Sequence, residues 1–200
     1  MSTKEFAGKL VEEAVAAKSY SLWKDGEFRR LVGFTKLTNK QQDKIFNDLQ
    51  VTALLYVILF LEEKSANNDQ HSVVYSNIGE YTVDAFLDMM ASAQLSDRQI
   101  ALWRKLIEKR EKEYKSDLDY IMKESKHWDV FDGEDRLLRE TWGRVIALSL
   151  GALGHIRKNS EEASAKDPLW VIVRRWLVSI EVELVQTFKD TDLKDLKVLN

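Results

Sequence analysis

Proline occurs once in this chain, at position 168, and glycine only eight times. Proline breaks or kinks a helix and glycine weakens one, so most of the sequence is free to stay helical over long stretches. The helix starts are legible as well. Ser2-Thr3-Lys4-Glu5, Thr38-Asn39-Lys40-Gln41 and Ser96-Asp97-Arg98-Gln99 each have the capping-box form, in which two side chains satisfy the orphan amides of a first turn. Asp167-Pro168 sets an N-cap residue before proline at the first helical position. Behind the first signal Phe6, Leu10, Val11, Ala14 and Val15 recur at helical spacing, and behind the last so do Leu169, Val173, Trp176, Ile180 and Leu184. The expectation is an all-α, single-domain multi-helix bundle over 1–200, with about six main helices plus short helical turns.

The helix opened at Thr38 should run to about Ser65. From Val51 to Leu61 it is apolar apart from Thr52, which places it at the centre of the domain. That run is about half of the ~20 apolar residues a membrane span needs. A helix from Ser96 to about Ser125 would be ~45 Å long. Between Glu108 and Asp117 it is charged almost throughout, with Tyr114 the exception, so its middle or end should stand in solvent or lean on a second subunit. The polar segment 66–81 reads as a long loop, and Thr82 as the cap of the helix carrying Phe86, Leu87, Met89 and Met90. Asp132 to Asp135 starts a helix ending near Asn159, and 191–200 is a C-terminal tail with room for one more turn.

Charge and cysteine content narrow the function classes. Thirty Lys and Arg against 33 Asp and Glu leave a formal charge of −3, without the basic excess that phosphate neutralisation demands of a nucleic-acid binder. Cysteine is absent, so disulfides, thiolate metal sites and a cysteine nucleophile are excluded, and a reducing, cytoplasmic setting is natural. The N-terminus has no apolar signal core. Neither nucleic acid nor membrane is an expected partner, and no cofactor is expected.

Three constellations could carry chemistry or recognition. Asp129, Asp132, Glu134 and Asp135 set four carboxylates within seven residues, which could bind a hard divalent cation, and beside them Glu124 and His127 have the Glu-x-x-His form of di-metal bundle sites, without the second copy such sites need. The simpler reading is a helix start, with Asp132 as cap and an acidic first turn. Gly143, Ala147 and Gly151 recur every four residues, and His155 extends the face. Small residues at that spacing admit a close neighbouring helix; the other reading is the floor of a ligand pocket, with His155, Trp142 and Gly151 around it. The final helix has a second strip, Val171, Arg174, Val178, Glu181, Val182 and Val185, apolar but punctuated by both signs of charge, as subunit interfaces are.

No Gly-x-Ser-x-Gly elbow, phosphate loop or His-Glu-x-x-His motif occurs. The leading expectation is therefore a cytoplasmic helical interaction module, scaffold or regulatory, homodimeric and open to a further protein partner, rather than an enzyme. The alternative is a helical enzyme or a small-ligand or metal-binding protein, using the pocket near His155 and Trp142 or the acidic site near His127.

Overall fold

The computed structural model describes residues 1–68, 70–125, 136–157 and 166–198, with backbone alone at 136–138. It is all-α: among these residues the sole extended pairing is an isolated bridge between Ser2 and Lys197. Ser2 caps α1 (Thr3–Leu10), its hydroxyl accepting from the Glu5 amide at 3.2 Å while the Glu5 carboxylate accepts from the Ser2 amide at 2.6 Å. The rod continues through a π-helical stretch, Val11–Ala17, into α2 (Lys18–Lys24). Asp25 caps the short α3 (Gly26–Val32), which Gly33 ends in the left-handed region at φ 75°, a conformation glycine adopts without a Cβ clash.

Thr38 then opens α4 (Asn39–Asn67) with the expected box. Every residue from Leu49 to Leu61 is buried, because α1–α2, α5, α6, α7 and α8 close around this helix. α4 is long and apolar enough to cross a membrane, yet 83% of its apolar window is covered by the rest of the protein. It is the axle of a bundle completed by α5 (Ser72–Ser92), α6 (Asp97–Glu124), α7 (Arg136–Arg157) and α8 (Pro168–Lys189). Counting α1 to α2 as one rod, these are six main helices.

Two local expectations are corrected. The segment 66–81 is not a long loop: α4 persists to Asn67 and α5 begins at Ser72. Tyr75, Ile78, Thr82 and Phe86 form a buried stripe at helical spacing, which outweighs the polar composition between them. Thr82 accordingly lies inside α5 and caps nothing; its hydroxyl donates to the Ile78 carbonyl at 2.8 Å. The charged middle of α6 does expose Glu108, Lys109 and Lys112, but its inner edge packs on α7 and α4 and buries Ile107, Arg110 and Tyr114. The tail makes a 3₁₀ turn, Leu193–Asp195, and ties the termini together: the Thr3 amide donates to Lys197 at 3.0 Å, and Leu196 is buried. The helix expected from Asp132 includes α7, but its start at 132–135 lies outside the described residues.

Candidate functional site

The small-residue face of α7 receives α6. A Cβ added at Gly151 would run into the Tyr114 ring, with Cδ1 at 2.9 Å, and one at Gly143 would meet the Met122 sulfur at 2.5 Å. Tyr114 is fully buried and its hydroxyl shares a 2.8 Å hydrogen bond with Thr52 of α4, so α4, α6 and α7 meet at one pinned ring. Burial raises the Tyr114 hydroxyl well above its ordinary range and keeps it neutral.

Beside this contact, α6 and α7 diverge into a groove of about 1010 Å³. Ala147, Leu150, Gly151, Gly154 and His155 come from α7; Glu113, Ser116, Asp117, Tyr120 and Ile121 come from α6. Lys44 and Lys112 stand exposed at its mouth. A charged chain runs into one end. Arg110 reaches Asp48 at 3.2 Å and Glu113 at 2.6 Å, and His155 Nε2 lies 3.5 Å from the Glu113 carboxylate. The imidazole also leans on the Tyr114 ring, with centroids 5.9 Å apart. Burial, with Arg110 nearby, lowers the His155 pKa and favours the neutral ring. Of the three residues expected at a pocket, His155 and Gly151 line this groove and Trp142 does not; Trp142 packs half-buried against the core.

The strip on α8 divides. Val178, Val182 and Val185 are exposed, at 37%, 63% and 49%. Val171 and Arg174 are half-buried, Arg174 lying over the Trp170 ring at 4.7 Å. Glu181 faces the other way and leaves the strip. It accepts from Arg144 at 2.9 Å and from the Tyr56 hydroxyl at 2.9 Å, beneath the surface. Arg144, 1% exposed, also pairs with Glu63, and its guanidinium lies over the Tyr56 and Phe60 rings. Burial raises the Glu63 and Tyr56 pKa values. This cluster joins α4, α7 and α8 by charge through the middle of the core.

Among the metal candidates, Glu124 is exposed near the end of α6, while His127, Asp129 and Asp132 lie outside the described residues. Among the described residues no group of three acidic or histidine side chains is placed to hold a metal ion. Lys44, Glu113, Asp117 and Tyr120 were missed by sequence reasoning. The available signal was the spacing of Glu113, Asp117 and Ile121 by four, the same period as the small residues they face. No family model, curated protein or solved structure matches the chain.

Proposed function

We propose that this protein is a cytoplasmic helical interaction module that acts as a homodimer joined through the outer face of α8. One observation carries the reading: Val178, Val182 and Val185 recur at intervals of four and three, so they form an exposed apolar line along the outer face of α8. A second copy suits this line because α8 is self-complementary. It carries Arg174 and Arg175 in its first half and Glu183, which also pairs with Lys18 at 2.9 Å, in its second. A two-fold antiparallel pairing sets Arg174 and Arg175 of one helix near Glu183 of the other.

Val171 to Val185 spans ~21 Å of helix, and a strip of that length about 10 Å wide covers ~210 Å², well below the ~800 Å² per partner of a standard interface, so the dimer should dissociate in the micromolar range. Absence of cysteine and burial of α4 within the bundle support the cytoplasmic assignment. Light scattering across micromolar concentrations is the test. Mass should rise toward the dimer, and Val178→Glu should hold it at the monomer while leaving the helical circular dichroism unchanged. A parent that remains monomeric at every concentration removes the proposal.

A further inference from the structure

We infer that the groove between α6 and α7 binds an organic cation, an amine carried on an apolar body, through the Asp117 carboxylate and the Tyr120 ring. This site is separate from the α8 surface and does not depend on dimerisation.

The two carboxylates on the α6 wall differ in whether they are matched. Glu113 is held by Arg110 at 2.6 Å. Asp117, one turn further along the same wall, makes no hydrogen bond or ion pair among the described residues. Its carboxylate nevertheless bends onto the floor: Oδ2 lies 3.4 Å from where a Gly151 Cβ would stand. An anion set over a floor of glycine and alanine, with no cation paired to it among the described residues, is complementary to a cation that fits the space the missing side chains leave. Burial and the neighbouring Glu113 raise the Asp117 pKa, the direction that a bound cation would reverse.

Tyr120 lies three residues beyond Asp117, on the neighbouring line of the same helix, and is 63% exposed. A carboxylate and an aromatic face at that spacing can share one ammonium, by charge and by cation–π attraction. Ile121, Ala147 and Leu150 supply apolar surface for the rest of the molecule. From Glu113 to Ile121 the wall is ~12 Å long, and the groove volume stands near the upper end of the roughly 300–1,000 Å³ of ordinary ligand pockets. At the far end His155 Nε2 is buried 3.5 Å from the Glu113 carboxylate, with no hydrogen-bond partner among the described residues. The neutral imidazole adds no cation to compete with the ligand. Lys44 and Lys112 do favour an anion at the mouth, so a carboxylic acid is the competitor to set against the amine.

The experiment uses the full chain, isotope-labelled, titrated with phenethylamine, phenylacetate and phenethyl alcohol to millimolar concentrations while amide shifts are followed. Phenethylamine should shift Gly151 and Gly154 saturably and bind more tightly than the alcohol or the acid. Asp117→Asn, at a partly exposed position, should keep the parent's melting temperature and weaken the amine roughly ten- to a hundredfold, the loss of one charge-assisted contact. The inference is overturned if phenylacetate is the preferred probe, if none of the three shifts the groove, or if Asp117→Asn binds the amine as the parent does. Should the variant fail to fold, the ranking of amine over alcohol in the parent decides alone.

Discussion

Gly151→Ala is the smallest change that should do measurable damage. In an exposed helix the substitution stabilises by up to about 1 kcal/mol, since alanine loses less backbone freedom than glycine. Here the added methyl lands on the Tyr114 ring. That ring cannot swing aside cheaply, because it is fully buried and its hydroxyl is bonded to Thr52 at 2.8 Å. Overpacking a close contact costs about 1–3 kcal/mol, and straining or losing the buried hydrogen bond adds about 1 kcal/mol. Subtracting the helix gain leaves a net destabilisation of about 1–3 kcal/mol. Near the middle of that range, roughly 2 kcal/mol, the melting temperature should fall by roughly 4–8 °C for a domain of this size. Gly8→Ala is the matched control, since a Cβ there meets nothing within 4 Å. It should stabilise the protein slightly. Thermal melts by circular dichroism read both. A Gly151→Ala protein melting at or above the parent refutes the pinned-ring account of the α4–α6–α7 junction.

Three further outcomes follow from the charged clusters. Arg144→Met takes the buried cation from Glu181 and leaves Glu63 only Lys64 at 3.8 Å, and should cost about 3–5 kcal/mol; the penalty should shrink in acid as Glu63, its pKa raised by burial, protonates, and urea titrations at two pH values check both. Asp167 is held below its ordinary pKa by bidentate bonding to Arg157 and by capping Leu169. Its stabilising contribution is therefore complete above the unfolded value of about 4 and is lost as pH falls through the lower folded value; Asp167→Asn should lower stability at neutral pH and flatten that acid limb. His155 is shifted down by burial, so folding favours its neutral form: its contribution is present above about pH 6.5 and is lost as pH falls below it. His155→Gln should remove that part of the pH dependence, read from melting temperatures between neutral and mildly acidic pH.

What the sequence disclosed was local. All three capping boxes form, and Asp167 caps α8 with Pro168 at its first turn, because each signal is complete within four residues. The centrality of α4 was equally plain, since a helix apolar all round has no face to offer water. The segment 66–81 misled because Asn67, Asn68 and Ser72 resemble a loop, whereas its stripe of Tyr75, Ile78 and Thr82 is completed only by residues further on. The small-residue face of α7 announced a close contact, but not that Tyr114 would fill it and a groove open beside it. The Arg144 cluster was illegible for a different reason. Its carboxylates stand 81 and 37 residues away, and only the packing of three helices brings them together. Glu181, placed in the outer strip by spacing alone, is drawn inward by that buried cation.

The outer face of α8 is the surface proposed to join two copies. The chain has no cysteine, so a single cysteine reports on its own position without interference. Val178→Cys, Val182→Cys and Val185→Cys should be compared under mild oxidation with Val73→Cys, which replaces a 69% exposed valine on α5. A disulfide needs Cα atoms within ~7 Å, so only a position near the two-fold axis can bridge readily. The account predicts that at least one α8 variant gives a covalent dimer of twice the 23.2 kDa chain, quickly and at micromolar concentration, while the α5 variant stays monomeric. If none of the α8 cysteines cross-links faster than the one at position 73, the α8 face is not the interface.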